Sequence, residues 1–354
     1  MTGGFDMHVL LVGNLGYVGS VFCRYFRNTF PMAKLIGFDS GLFAHCLTTS
    51  GEVPEVALDR QYYGDVREFP IDLLRGVDAV IYLAAVSNDP MGVKFEAVTG
   101  EINRDSAISL AAAARAAGVK FFTFASSCSV YGAGGGAPRI ETDPLNPLTA
   151  YARSKIETES ALGEFADGDM FITCLRFATA CGMSDRLRLD LVLNDFVASA
   201  LATGSINVMS DGSPWRPLIH VLDMSRAIDW SINRTALPDD RFLVVNVGSN
   251  EWNYQVRDLA HAVAAAIPHV ELSINLEAAA DKRSYRVDFS KFARVAPERY
   301  LPKIDLTSAI SDLILGLNSI HFADKEFRSS NLMRLNVLEQ LISKKRLTPS
   351  LRWM

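Results

Sequence analysis

Five cysteines in 354 residues, with no CxxC pair and no histidine at ligand spacing, argue against a disulfide framework and against a structural zinc site. Cys23, Cys46, Cys128, Cys174 and Cys181 read instead as reduced thiols, mostly small core residues. Long apolar runs are also missing. The run at 9–12 is too short for a secretory core or a membrane span, and residues 1–6 hold no basic stretch, so the expectation is a cytoplasmic chain with no membrane partner. Nor is there a basic excess: 35 Lys and Arg stand against 40 Asp and Glu, a formal charge of -5, which disfavours nucleic acid as a partner. No repeat or low-complexity linker breaks the chain. What is abundant is apolar residue, 49% of the total, enough for a sizeable core in one large α/β unit with an elaboration or in two domains.

The first 180 residues alternate short apolar runs with longer helical patterns. Strands are expected at 8–12, 35–39, 79–83, 121–126 and 171–177, each apolar enough to be covered on both faces. Helices are expected at 18–30, 106–117 and 151–165, the second ended by Gly118 in a left-handed cap. This pattern predicts an α/β protein, a doubly wound Rossmann-type parallel sheet over 1–180. Beyond it come a helix (189–202), a short strand (206–208) and a turn-rich stretch (211–217), and 242–247 again reads as a buried strand. The expected organisation therefore has 215–250 returning to the first sheet. Residues 181–214 and 251–354 then form mainly a smaller, discontinuous C-terminal substrate lobe. The segment from Ser308 mixes amphipathic helix patterns with Lys344, Lys345 and Arg346 and shows no legible function.

Gly13, Gly16 and Gly19 follow the first strand directly and open the first helix, with Leu15, Tyr17 and Val18 between them. Glycine there lets backbone approach a pyrophosphate, and the helix N-terminus supplies unpaired N–H groups. Asp39 closes the next strand, 20 residues after Gly19, where a carboxylate accepts from an adenosine ribose. It would repel a 2′-phosphate, and no Arg or Lys follows it at once, so NAD is favoured over NADP. Asp65 and Val66, in GDVRE, follow another short strand where a carboxylate can meet the adenine amino group. Taken singly, each of these is also a tight turn or a strand-end aspartate.

In YARSK, Tyr151 and Lys155 lie four apart on one helix face. A cation beside a phenol favours the phenolate, which makes tyrosine a usable general base near neutrality. Upstream, FASSCSVYG brings a strand to its end at Ser126 and Ser127, and in doubly wound sheets ligands bind at the carboxyl ends of strands. Ser127 there can hydrogen-bond the oxygen that exchanges its proton with Tyr151. The plain alternatives are a surface helix pair and a turn serine.

Together, Gly13-x-x-Gly16-x-x-Gly19, Asp39, Leu83-Ala84-Ala85, Asn103, Ser127, Tyr131-Gly132 and Tyr151-x-x-x-Lys155 resemble the extended short-chain dehydrogenase/reductase family over most of the chain. The nearest subgroup is its NAD-dependent nucleotide-sugar epimerases and dehydratases. The resemblance implies NAD as cofactor, a nucleotide-diphosphate sugar as substrate, and Ser127, Tyr151 and Lys155 as the triad. It implies that Leu83, Ala84, Ala85 and Phe177 line the cofactor site and that Asn103 positions the lysine helix from behind. On the substrate side it implies Ser87, Ser127, Cys128, Ser129 and Tyr151, with Asn194 and Arg216 near the diphosphate. An arginine fork suits phosphate oxygens. Arg283 and Arg286, in KRSYRVD, are further phosphate ligands, and which of them points inward is left open. His220 reads as structural. The 4,6-dehydratases of the family carry an Asp-Glu pair after the hydroxyl residue; Cys128 and Ser129 stand there, which disfavours dehydration. The family habit also implies a homodimer through the helices at 106–117 and 151–165. The expectation is a nucleotide-sugar epimerase acting at C4 through a transient 4-keto sugar, with Tyr151 as base and acid. The alternatives are a nucleotide-sugar dehydrogenase or 4-ketoreductase on the same fold and, more remotely, a non-catalytic dinucleotide-binding protein.

Overall fold

The run HVLLV is apolar because both of its faces are covered: it forms β1 (His8–Val12), in which Val9, Leu10, Leu11 and Val12 are fully buried. A computed structural model describes residues 7–49, 51–133, 136–165, 169–235, 240–278 and 283–354; residues 1–6, read above as free of a basic stretch, lie outside them. From β1 the glycine turn leads into α1 (Tyr17–Thr29), whose Phe22, Cys23 and Phe26 recur at helical spacing and are buried. Next come β2 (Lys34–Asp39), β3 (Arg60–Tyr63) and β4 (Ala79–Tyr82). Two short helices follow, α2 (Asp89–Lys94), capped by the Asn88 side chain, and α3 (Glu96–Gly100). A π turn over Glu101–Asp105 precedes α4 (Ser106–Ala116), and beyond it Gly118 adopts a φ of +80°. β5 (Phe121–Ser127), α5 (Ala150–Gly163), capped by Thr149, and β6 (Phe171–Phe177) complete the first run.

The chain then forms β7 (Thr179–Cys181), α6 (Val192–Thr203), β8 (Ser205–Val208), β9 (Trp215–His220), α7 (Val221–Asn233) and β10 (Phe242–Val247). It ends through β11 (Asn253–Gln255), α8 (Val256–Ala266), β12 (Glu271–Ile274), α9 (Ser290–Val295), α10 (Leu306–Ser319) and α11 (Arg334–Ser343). Seven strands make one parallel sheet in the order β10-β6-β5-β4-β1-β2-β3. The order reverses between β1 and β4, and that point opens a crevice at the strands' carboxyl ends.

β10 lies beside β6 with Phe242 opposite Ile172 and Val247 opposite Phe177, so the strand expected to return does so. The turn-rich stretch ends earlier than expected. Trp215 begins β9, the middle strand of a small sheet in the order β11-β9-β7, and Pro217 falls inside it. Proline and its polar neighbours hide a run whose Leu218, Ile219 and His220 are buried. Of 215–250, α7 and β10 rejoin the large sheet, whereas β9 belongs to the small one.

The core is divided by the sheet. Phe22, Phe26, Ile228 and Trp230 cover one face, and Leu110, Ala111, Phe122 and Leu162 the other. In the second lobe Leu193, Val197, Leu259, Val263, Ile310 and Leu313 join α6, α8 and α10. A fourth cluster joins Val337, Leu338 and Leu341 of α11 to Leu42, Met91 and Phe95 of the first lobe. All five cysteines are buried as free thiols. Among the described residues no helix is long and apolar enough to cross a membrane.

Candidate active site

A cleft of about 1270 Å³ runs along the carboxyl ends of the large sheet and against the second lobe. Gly13, Gly16, Tyr17, Val18 and Gly19 line it at the mouth of α1, together with Asp39, Asp65, Val66, Leu83, Ala84 and Ala85. Gly13 has a φ of +92°, and a Cβ there would stand 2.6 Å from the Ala84 amide nitrogen; at Gly19 it would stand 2.5 Å from the Gly13 carbonyl oxygen. Gly16 differs. Its added Cβ would meet only the Gly13 carbonyl oxygen, at 3.3 Å, so the residue is bare toward the cleft, and as N-cap of α1 it gives the first turn no side-chain partner. Such a cradle suits a pyrophosphate. The Asp39 carboxylate accepts from the amides of Leu15 (3.0 Å) and Gly41 (2.8 Å), while burial pushes its pKa up. Burial also works against the charge on Asp65. The bidentate Arg67 guanidinium outweighs it and holds that carboxyl below the usual range.

Ser127, Tyr151, Lys155 and Phe177 line the same cleft, at the ends of β5 and β6 and on the first turns of α5. Lys155 is 2% exposed; its Nζ donates to the Ala125 carbonyl at 2.7 Å and lies 4.6 Å from the centre of the Phe124 ring. Burial pushes Tyr151 up to about 12, with the nearby Ser127 hydroxyl pulling the other way, and pushes Lys155 down to about 7. The expected phenolate is therefore not what the protein groups alone favour. Taking both side chains out of water outweighs their attraction. Four residues further along the same helix face, buried Glu159 is paired bidentately with Arg176 and accepts from Ser126. Arg176 also donates to the Tyr131 hydroxyl, which donates to Asn246.

Four of the expected contacts do not reach the cleft through their side chains. Cys128 turns into the core and its thiol donates to the Arg176 carbonyl, because the chain leaves β5 in a 3-10 turn that alternates inward and outward. Ser129 comes back to the cleft; its hydroxyl is buried without a hydrogen-bond partner among the described residues. Asn194 is fully buried, accepting from the Gly182 amide and donating to the Arg188 carbonyl, so it shapes the segment between β7 and α6 instead of facing a diphosphate. Arg286 lies over the Trp215 ring and donates to the Gly136 carbonyl, away from the cleft. The Leu15 side chain is buried, and its contribution is the amide that meets Asp39. Asn103 sits behind the site, bonded to both backbone groups of Val86 and to Ser154 of α5.

Ser87, Arg216 and Arg283 also line the cleft. Arg283 reaches across it to Asp89 at 2.8 Å. Sequence reasoning missed Arg188 and Asp190, a bidentate pair on the cleft wall whose arginine also donates to Ser87 and whose aspartate accepts from Asn88. It also missed Tyr285, buried beside the cleft, whose pKa burial raises. The alternating charges of RLRLD and the tyrosine between Arg283 and Arg286 were the available signals. Among the described residues no group of acidic, histidine and cysteine side chains is placed to hold a metal ion.

The family model described as the NAD dependent epimerase/dehydratase family matches residues 9–248. The chain belongs to this family. As a member it uses NAD, and the glycine turn, the Asp39 carboxylate and the cleft they line fit that cofactor. Similar proteins include the UDP-glucose 4-epimerase of Lactobacillus helveticus, 30% identical over 75% of this chain and 73% of its own. The UDP-glucose 4-epimerase of Streptomyces lividans is 26% identical over 73% of this chain and 81% of its own. Among solved structures, UDP-glucose 4-epimerase from Stenotrophomonas maltophila with bound NAD and formylated UDP-arabinopyranose superposes with a TM-score of 0.76 at 23% identity, covering 90% of this chain and 100% of that one. TunA, an NAD-dependent NDP-hexosamine 5,6-dehydratase, superposes with a TM-score of 0.75 at 22% identity, covering 90% and 99%. These likenesses show the epimerase/dehydratase fold.

Proposed function

We propose that the protein is a nucleotide-sugar epimerase that inverts C4 through a transient keto sugar. One observation carries the reading: Tyr151 and Ser127 face each other in the same cleft as the dinucleotide cradle, with the substrate half beyond them walled by Arg216, Arg188 and the unpartnered hydroxyl of Ser129. When held by the glycine cradle and Asp39, oxidised NAD would supply a positive ring that favours the phenolate and the hydride chemistry at the sugar carbon. Tyr151 removes the proton of the C4 hydroxyl and later gives it back. Ser127 hydrogen-bonds the same oxygen. Lys155, held by the Ala125 carbonyl, adds positive charge beneath the tyrosine ring when protonated. Arg216 anchors the diphosphate by its planar fork, which fixes the reacting carbon while the ketone presents its other face. The relatives named UDP-glucose 4-epimerase support this reading.

Incubation with UDP-, dTDP-, GDP- and CDP-hexoses, followed by proton NMR, is expected to yield the C4 epimer of one of them with no net NADH. NADH formed one for one with product would replace the epimerase by a dehydrogenase. By family resemblance we also propose a homodimer through α4 and α5; on α5, Glu157 pairs with Arg104 of the π turn and Arg153 with Glu96 of α3, and sedimentation equilibrium at twice the chain mass is the expected result.

A further inference from the structure

The sheet order fixes which end of the cleft holds which half of the dinucleotide. Ser127 and Tyr151 stand at β5, while Asp39 and Asp65 follow β2 and β3, three and four strands away, or roughly 14–19 Å at the usual strand spacing. The adenosine half therefore lies over the loops after β2 and β3. These two loops are joined by residues 346–354, the part of the chain for which the sequence offered no function. Trp353 Nε1 donates to the Ser40 carbonyl at 2.6 Å, on the β2 side. On the β3 side Arg67 donates to the Ser350 carbonyl at 2.9 Å, and Arg352 pairs with Glu68 at 2.6 Å and stands 3.8 Å from Asp65.

The segment is a built structure and not a loose end. Leu347 bridges Trp353 in antiparallel fashion, Thr348 donates to the Arg352 carbonyl, and Met354 donates to that of Arg346. Its tip is Leu351, which has a φ of +56°, a left-handed conformation that leucine rarely adopts. That conformation turns the side chain inward, 3% exposed, packed in one cluster with Leu42 of the loop after β2 and with Leu338, and forming part of the cleft wall. Arg334 anchors α11, the helix that precedes the segment: it is buried and donates to the carbonyls of Arg186 and Leu187.

We propose that residues 346–354 form a clasp over the adenosine half of the NAD site, in which Leu351 supplies an apolar wall for the adenine and Arg352 and Trp353 tie the two flanking loops shut. The proposal rests on the NAD reading of the cleft. The clasp slows cofactor loss, so that NAD stays with the enzyme from turn to turn.

The test is the rate at which protein loaded with radiolabelled NAD releases label into excess unlabelled NAD. Leu351→Gly removes the wall while glycine accepts the local backbone; the packing of the side chain on Leu42 and Leu338 is lost with it. The double variant Arg352→Ala/Trp353→Ala unties the loops without touching the wall. Both are expected to release label at least tenfold faster than wild type and to bind ADP-ribose correspondingly more weakly, measured at a temperature where thermal melts show each variant folded. Equal release rates for wild type and both folded variants would overturn the clasp. Faster release with ADP-ribose binding unchanged would overturn its placement on the adenosine half. A wild-type protein that binds no added NAD would overturn the cofactor reading, and the clasp with it.

Discussion

Lys155 carries its ammonium 5.5 Å from the centre of the Tyr151 ring, below the plane of the phenol and with a hydrogen bond committed to Ala125. Its pKa, ordinarily 10.5, is pushed down to about 7 by burial. The unfolded chain therefore holds the proton more tightly between those two values, and the folded state gains stability as pH rises through that window. Each pH unit in it is worth about 1.4 kcal/mol. In cofactor-free protein, the urea midpoint of wild type relative to Lys155→Met should rise from pH 7 to pH 9. A difference that stays flat would show the lysine charged throughout.

Replacing Tyr151 by Phe removes the proton carrier and leaves the glycine cradle intact. Turnover should fall by roughly 10²- to 10⁴-fold, the usual contribution of a positioned acid–base group, while NAD content after gel filtration stays that of wild type. Ser127→Ala loses one hydrogen bond of about 1 kcal/mol and should cost about fivefold. Steady-state rates with the nucleotide sugar identified by NMR decide both.

Glu159 and Arg176 are each only 5% exposed in their side chains, and they join α5 to β6 beneath the reactive residues. Glu159→Gln leaves the guanidinium buried without its counter-charge, a change that costs about 3–5 kcal/mol in such pairs. Denaturant unfolding at pH 7 should register that loss, and a shift below about 1 kcal/mol, the surface-pair range, would contradict the network described.

The glycines should separate by their surroundings. Gly13→Ala must push a Cβ against backbone where β1 meets the end of β4, at positive φ, so both folding and NAD binding should suffer. Gly16→Ala points its methyl into the cleft; melting temperature without cofactor should hold while NAD affinity drops at least tenfold. Calorimetric titration of both variants, beside thermal melts, distinguishes the two roles.

The strands of the large sheet were legible because a strand covered on both faces is written as a continuous apolar run. Those at His8–Val12, Phe171–Phe177 and Phe242–Val247 fall where the sequence put them. β9 was not, since Pro217 and the polar turn before it mask the buried run of Leu218, Ile219 and His220. The residues placed at the glycine turn, after β2 and on α5 were legible because each lies at an element boundary where chain geometry leaves little choice. Cys128, Asn194 and Arg286 were not: whether a side chain in a turn or loop faces a cleft depends on one or two backbone angles that no spacing rule specifies. Arg188 and Asp190 escaped for the same reason, being neighbours only once 182–191 is folded over Tyr17 by the Asn194 bonds.

β10 seals the open side of β6 only after more than sixty residues have intervened in the chain, from Phe177 to Phe242. During synthesis, a nascent chain that has emerged as far as β6 displays a bare row of amide and carbonyl groups, and waits for the ribosome to deliver the strand that belongs there. A fragment cut at residue 180 keeps that edge permanently, an invitation to pair with other copies. The two lobes are thus expected to mature as one folding event, and recombinant halves should recover function only when made together.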